Sequence, residues 1–392
     1  MAGLHPDTIR VRMYRVGFGD CFLISVPQDS GHAHILVDCG VHAKGDPGTL
    51  PAVIADILEE THQELALIIA THAHQDHISG FTRFEAQFRS CRVGEIWLPW
   101  IENPADPSAA RLKTRRLALV NRLHHHFTAA RISPAMASVL LNLRGNEAAL
   151  RLLKSGMRGR VRFLEATDKL PDAAGVPGLH ARILGPPRDP EFLAQLDPSQ
   201  GARFLRAHGT PAEPRHPLQP FAEKWLFKPA GLPFPPLTEK ERQLLEEMAS
   251  DPEALAFALD RAVNNTSLAL LLSYRGRQLL LTGDAQYGNW EHWLREPGAA
   301  ALLAQVDFYK VGHHGSSNGT PRRALQQMPR HGFAAMVSTQ TVPWPGIPMP
   351  PLMDALRTRS AGVVRSDSLP AKGSLPAGFS RGKLWFDYEL PC

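Results

Sequence analysis

The sequence predicts a mixed α/β fold in which short strands alternate with amphipathic helices. Alternating apolar residues over 9–16 and 20–26 are typical of two paired strands. Residues 49–62 carry apolar side chains at helical spacing, which predicts a helix with one buried face. The apolar run 65–70 is too short to cross a membrane, so it predicts a buried strand.

Length and composition are those of a soluble globular protein. The chain has 392 residues, 43% hydrophobic and 21% charged, which we interpret as a single domain over residues 1–392. No apolar run reaches the length of a membrane helix, and the strand pattern begins too early to leave room for a signal peptide. The four cysteines form no C-x-x-C pair, so we expect free thiols and a cytoplasmic location.

A cluster of metal-binding side chains follows the buried strand in the loop 71–77, which reads T-H-A-H-Q-D-H. Imidazoles and carboxylates suit zinc, and also iron or manganese. His72 and His74 are two residues apart, so in extended backbone they point to the same side. Asp76 and His77 open an amphipathic helix and can face the same cavity. Three histidines and one aspartate in six residues favour a metal site over a polar loop with chance histidines.

Two later loops supply further candidate ligands. Asp284 follows a strand that ends in glycine, and a carboxylate there could bridge two metals. His313 and His314 lie between two glycines directly after another strand. One of them could bind metal while the other donates a hydrogen bond to bound substrate.

Two segments look like insertions. The first, residues 101–160, is predicted to be helical and basic. Between residues 107 and 162 there are twelve Lys and Arg and a single acid, Glu147, which favours a surface that binds polyanions. The second, residues 188–262, begins with a Pro-rich stretch that we interpret as a loop or flap and ends in helices.

Six motifs occur in order along the chain: V-G-F-G-D-C-F-L-I, I-L-V-D-C-G, T-H-A-H-Q-D-H-I-S-G, N-N-T-S-L, L-L-T-G-D and K-V-G-H-H-G-S-S. Together they resemble the metallo-β-lactamase superfamily, and within it the hydrolase domain of ComEC-type DNA-uptake proteins and its soluble relatives. The resemblance spans residue 9 to about residue 370. It implies an αββα sandwich with metals at the sheet edges, interrupted by the two insertions, and a hydrolase without a membrane channel. It also implies that Asp38 supports the metal loop.

The resemblance further implies two divalent ions, zinc or manganese. The expected ligands of the first ion are His72, His74 and Asp284, and those of the second are Asp76, His77, Asp284 and either His313 or His314. Two departures stand out. Asn264-Asn265-Thr266-Ser267 replaces a loop from which zinc hydrolases supply a third histidine, so the first site should be weaker. Gly346-Ile347-Pro348 stands where relatives often carry Gly-His-Pro.

These features predict a metal-dependent phosphodiesterase or nuclease acting on DNA or RNA. Asp76 could take a proton from the nucleophile, and the second histidine of the 313–314 pair could stabilise charge on the phosphate together with Lys310 and Ser316. The basic insertion would hold the phosphate backbone, and its candidate contacts are Arg115, Arg116 and Arg122.

Two alternatives remain open. One is a hydrolase of a small substrate, such as a cyclic nucleotide, another phosphodiester or a lactam. The other is a catalytically weak protein that binds nucleic acid or forms a complex.

Overall fold

The computed structural model describes residues 5–114, 146–196, 262–342, 344–370 and 374–392. Within this part of the chain, two β-sheets of eight and seven strands pack face to face. Helices cover the outer face of each sheet. No helix of the described residues is long and apolar enough to cross a membrane.

The eight-stranded sheet joins the two ends of the described chain, because its strand β1 pairs antiparallel with both β2 and β15. Its strands β3 to β6 run parallel. In spatial order the strands are β14 (Phe379–Arg381), β15 (Trp385–Pro391), β1 (Thr8–Tyr14), β2 (Cys21–Gln28), β3 (Gly31–Cys39), β4 (Glu64–Ile69), β5 (Arg92–Pro99) and β6 (Arg160–Leu164).

The seven-stranded sheet is parallel from β10 to β13 and antiparallel from β7 to β10. In spatial order its strands are β13 (Gly362–Arg365), β12 (Ala334–Val337), β11 (Phe308–Lys310), β10 (Arg277–Leu281), β9 (Ala269–Tyr274), β8 (His180–Gly185) and β7 (Lys169–Leu170).

The helices form the outer layers. Those on the first sheet are α1 (Leu50–Glu60), α2 (Gln75–Arg83), α3 (Glu85–Ser90) and α4 (Glu147–Arg151). Next along the chain is α5 (Pro190–Ala194), which packs against α6. Those on the second sheet are α6 (Tyr287–Leu294), α7 (Ala299–Leu303), α8 (Arg322–Gln327) and α9 (Pro350–Arg359).

Strand alternation explains why both faces of each sheet are apolar. On β9, Leu270 and Leu272 point into the core between the sheets, whereas Leu271 points outward to the helices. On β4, Leu67 likewise points into the core between the sheets, and Ile68 points outward to the helices. Each fully buried side chain of this kind contributes about 1.5–3 kcal/mol of hydrophobic stabilisation. The layer order is therefore helix, sheet, sheet, helix, and the predicted αββα sandwich is confirmed.

The two insertions meet at their described ends. Trp100, Ala109 and Leu112 from the first form one apolar cluster with α5 and Ala262 from the second. Residues 115–145 and 197–261, including the Pro-rich stretch and most of the basic segment, lie outside the described residues. The number of domains stays a prediction.

Candidate metal centre

The parallel strands of both sheets end at one edge of the sandwich, which gathers loops from distant parts of the sequence. Asp76 and His77 lie in the first turn of α2, directly after the loop that leaves β4. Asp284 follows β10, and His314 lies in the turn that leaves β11. All four side chains are at most 3% exposed. We call them the metal-ligand cluster.

The metal-ligand cluster is compact enough for one ion to reach every member. One donor atom from each residue lies within 4.8 Å of the other three. The Nε2 atom of His314 is 3.1 Å from Asp76 Oδ2 and 3.2 Å from Asp284 Oδ2. The Nε2 atom of His77 is also 3.2 Å from Asp284 Oδ2. Asp284 therefore lies between the two histidines.

Hydrogen bonds on the far side of each ring leave the Nε2 atoms facing the centre. His314 Nδ1 donates to the carbonyl of Ser338 at 2.9 Å, and a carbonyl can only accept. His77 Nδ1 donates to Asp38 Oδ2 at 2.8 Å. Partners of this kind fix the tautomer and orientation of metal-binding imidazoles.

Several buried atoms at this edge could bind metal and lack a hydrogen-bond partner, which tests whether a metal would fit. Among the described residues, His72 Nε2, Asp76 Oδ1 and Asp284 Oδ1 have no hydrogen-bond partner. A buried polar atom without a partner costs about 1–3 kcal/mol, so such groups are rare in the absence of a ligand. Nitrogen and carboxylate oxygen suit zinc, iron and manganese. The donor set fits a divalent transition metal.

The pKa values of this cluster show that protons on the histidines balance the negative charge of the carboxylates. Burial opposes charge on His314, but Asp284, Asp76 and Asp20 outweigh it and raise the pKa of His314 to about 10. The pKa of His77 is likewise raised, against its burial, by Asp284 and Asp38. Burial favours the neutral form of Asp284, yet His314 and His77 hold its pKa well below the usual range. A bound cation would replace those protons.

His72 and His74 lie beside the metal-ligand cluster. The His72 ring centroid is 4.1 Å from that of His77 and 4.7 Å from that of His74. Burial, followed by the neighbouring His77 and His74, lowers the pKa of His72 well below its usual value. His72 is therefore a neutral imidazole at ordinary pH, the form that binds metal.

Asp38 supports the loop from behind. Its Oδ1 accepts from the Thr71 backbone N–H and its Oδ2 from the Thr71 hydroxyl, both at 2.7 Å. The backbone of Asp38 has a φ of 54°, a strained value for a residue with a side chain. Together with the bond to His77, these contacts hold the strain in place.

Gly283 lets the carboxylate of Asp284 approach this loop. Its φ is +50°, and a Cβ added there would lie 2.8 Å from Thr71 Cβ and 3.1 Å from Ser267 Cβ. A side chain at this position would push β10 away from the loop after β4. The glycine therefore sets the distance between Asp284 and the histidines.

Part of the chain is similar to a known protein family. The family model described as "Metallo-beta-lactamase superfamily" matches residues 14–153, which include the loop 71–77. Residues 14–153 of this chain thus resemble a metallo-β-lactamase superfamily domain. The match ends before Asp284 and His314, so the structure is what brings these two residues to the loop. Members of the superfamily are generally metal-dependent hydrolases.

Solved structures show distant likenesses. Zn²⁺-bound PqqB from Methylobacterium extorquens aligns at 11% identity and a TM-score of 0.37, covering 88% of this chain and 85% of its own. CmlA, a diiron β-hydroxylase from Streptomyces venezuelae, aligns at 12% and 0.31, covering 95% of this chain and 49% of its own. This chain thus spans about half the length of the CmlA chains. No curated protein matches the sequence.

His313 lies outside the metal-ligand cluster. Its Nδ1 is 2.9 Å from Asn318 Oδ1, and its Nε2 is 3.1 Å from Asn264 Nδ2. Ser316, expected at the phosphate, donates to the same Asn318 oxygen at 2.9 Å. Of the two adjacent histidines, the structure places His314 among the carboxylates and His313 in an amide network.

Lys310 lies behind the carboxylate of Asp284. It is 3% exposed, donates to the Gly283 carbonyl at 3.0 Å, lies 3.6 Å from Asp284 Oδ1 and forms an ion pair with Asp20. Its ammonium group therefore faces the carboxylates of Asp284 and Asp20. Sequence reasoning missed Asp20. Its Oδ2 lies 3.6 Å from His77 Nδ1, and its Oδ1 lies 3.6 Å from His314 Nδ1. Its only signal was the motif G-F-G-D, which by itself is typical of a turn.

Acidic residues from outside the basic segment pair with several of its Lys and Arg side chains. Glu102 pairs with Lys154 at 2.7 Å and with Lys113 at 3.5 Å. Glu95 lies 3.3 Å from Arg162 and 4.0 Å from Arg160. Both acids precede the segment in sequence, so a count within it missed them. The candidate contacts Arg115, Arg116 and Arg122 lie outside the described residues.

Proposed function

We propose that this protein is a metal-dependent phosphodiesterase that cleaves nucleic acid. The observation that carries the hydrolase part is the buried metal-ligand cluster, with Asp76 Oδ1 and Asp284 Oδ1 left without hydrogen-bond partners among the described residues. Divalent ions held there would supply Lewis acidity to a phosphoryl oxygen and acidify water. The remaining steps fall to the side chains of the chain itself.

Asp76 has one oxygen engaged and one available. Its Oδ2 accepts from His314 at 3.1 Å, whereas its Oδ1 has no hydrogen-bond partner among the described residues. In our proposal Oδ1 takes the proton of the attacking water. Lys310 acts through another residue, holding the carboxylate of Asp284 in position from behind.

The nucleic-acid part rests on the resemblance to ComEC-type domains and on the basic segment. Asn146, at the described end of that segment, donates a hydrogen bond to the carbonyl of Ala73, between His72 and His74. The segment is thus tied to the ligand loop. From the second insertion, the Leu196 carbonyl accepts from Asn318 at 3.2 Å, next to His313. The described ends of both insertions thus flank the candidate site, where a long polymer would have to pass.

The test is the charge reversal of Arg115 and Arg116 together, to Glu. Each lost phosphate contact should reduce the slope of log affinity against log salt by about 0.7–0.9. Binding of single-stranded DNA or RNA should weaken, while hydrolysis of bis-p-nitrophenyl phosphate should not change. The matched control is Arg322→Glu with Arg323→Glu, an adjacent exposed pair at the start of α8.

The pairing of Lys113, Lys154 and Arg162 with Glu95 and Glu102 favours a second candidate, a hydrolase of small phosphodiesters or lactams, because it lowers the free positive charge of the segment. If the Arg115/Arg116 variant binds nucleic acid as wild type does, this second candidate leads. Binding without any turnover of DNA, RNA, a cyclic dinucleotide or nitrocefin would instead favour the catalytically weak binding protein.

A further inference from the structure

An exposed apolar loop borders the candidate metal centre. Within the described chain, the exposed large hydrophobic residues are Val342, at 50%, and Leu369, at 55%. Trp344 lies two residues after Val342 and is partly exposed. Tryptophan is costly to leave at a surface, and exposed aromatic rings are often binding residues.

A continuous series of rings connects Trp344 to the metal-ligand cluster. The Phe18 ring centroid is 4.4 Å from that of His314 and 4.7 Å from that of Trp344. The edge of Trp344 also contacts His42, with centroids 5.1 Å apart. Phe18 is 3% exposed and His42 is fully buried. Trp344 is therefore the outermost ring of the series, one ring away from His314.

Backbone contacts tie this loop to the turn that carries His314. The Met349 N–H donates to the Gly315 carbonyl at 2.9 Å, and the Ile347 N–H donates to the Trp344 carbonyl at 3.1 Å. Gly315 has a φ of +83°, and a Cβ added there would lie only 2.6 Å from Pro348 Cβ. The two loops pack as one unit, so the indole is held at a fixed distance from the metal-ligand cluster.

We propose that Trp344 is a stacking platform for the base of a nucleotide whose phosphodiester occupies the metal centre. This inference rests on the proposed phosphodiesterase function and names the part of the substrate that the protein recognises. The ring of Phe18 separates Trp344 from His314. This spacing suits a nucleotide, in which a sugar separates base and phosphate. Stacking on an aromatic side chain contributes about 1–3 kcal/mol per base and tolerates any base, because every base has a π-face.

The experiment compares two substrates that share a leaving group, thymidine 5′-p-nitrophenyl phosphate and methyl p-nitrophenyl phosphate. For Trp344→Ala, kcat/KM on the thymidine ester should fall by roughly 5- to 100-fold, the equivalent of the stacking contribution. On the methyl ester it should stay at the wild-type value. Trp344→Phe keeps a ring and should retain most of the preference. Val342→Ala, in the same loop, is the matched control and should change neither rate.

Equilibrium binding gives a readout that does not need turnover. Thymidine 5′-monophosphate should bind wild-type protein more tightly than methyl phosphate does, and Trp344→Ala should remove that difference. Equal losses on both substrates, or no loss on either, would overturn the platform while leaving the phosphodiesterase standing. Hydrolysis of neither ester by the wild type would instead remove the phosphodiesterase, and the binding difference would still decide the role of Trp344.

Discussion

Two clusters of buried charge lie at different places in the molecule, and they are satisfied in opposite ways. The first is the metal-ligand cluster. The second, which we call the Arg12 network, joins β1, α1 and β15. Arg12 is 4% exposed and makes two hydrogen bonds to Asp387, at 2.8 and 2.9 Å. It makes two more, to Asp56 at 3.0 Å and Glu60 at 3.1 Å.

The difference separates charge that stabilises from charge that binds. In the Arg12 network a guanidinium meets three carboxylates from two elements, α1 and β15, and its face packs 4.0 Å from the Trp385 ring. In the metal-ligand cluster, Asp76 Oδ1 and Asp284 Oδ1 have no hydrogen-bond partner within the described chain. Burial by itself therefore does not mark a site. Several metal-binding atoms buried together without hydrogen-bond partners do, because folding alone does not compensate their desolvation.

The largest loss of activity is expected of Asp284→Asn. The variant keeps the shape but removes the charge that lies 3.2 Å from both His77 and His314. We expect hydrolysis to fall by at least about 10³-fold, since a metal supplies several kcal/mol of transition-state stabilisation. Elemental analysis should show metal lost. Chelated protein should also unfold at lower urea concentration, because Asp284 no longer balances the charge on His77 and His314. Full activity at unchanged metal content would remove Asp284 from the site.

The opposite behaviour is expected of Asp387→Asn. Breaking one side of a buried ion pair leaves Arg12 poorly compensated, at a cost of about 3–5 kcal/mol in the free energy of unfolding. Activity per folded molecule should be unchanged. Asp354→Asn, which breaks an exposed pair with Arg357, is the control and should cost less than about 1 kcal/mol. A comparable loss in both variants would show that the Arg12 network contributes no more than a surface pair.

A pH effect should come from His34, next to the Arg12 network. Burial first, and then Arg10, lower the pKa of His34 to about 4 despite the opposing charge of Glu60. Between that value and the usual 6.5, the unfolded chain holds a proton that the folded one does not, so stability falls as the pH drops through this range. His34→Gln should remove up to about 3 kcal/mol of this loss. Urea unfolding at several pH values would test it, with exposed His180→Gln as the control.

The smallest effect is expected of Asp20→Asn, a paired carboxylate within the metal region. Without the charge of Asp20, the Lys310 ammonium depends more on Asp284 for charge balance and competes with a metal for its oxygens. Metal affinity should fall about 10- to 100-fold, as for other residues that orient metal ligands. Competition with a chelator would measure it, and Asp20→Asn combined with Lys310→Met should recover part of the loss. An unchanged affinity would place Asp20 with the purely structural charges.

The fold and the candidate ligand loops could be predicted because their signals are local. Alternation over residues 9–16 and helical spacing over 49–62 report which faces are buried, and the structure has β1 and α1 there. The loop 71–77 concentrates ligand side chains directly after a strand, so its chemistry is visible before its position is known. The ligand assignments themselves stay predictions.

The sequence by itself determined that this chain builds an α/β sandwich with metal-binding side chains at the ends of its strands. Only the tertiary structure decided that His314 rather than His313 joins the carboxylates, and that Lys310 pairs with Asp20. It also decided that Phe18 contacts Trp344, more than three hundred residues away. The physical reason is that periodicity fixes which face of a strand is buried. Which loops then meet at a sheet edge depends on the pairing order of strands and the packing of two sheets.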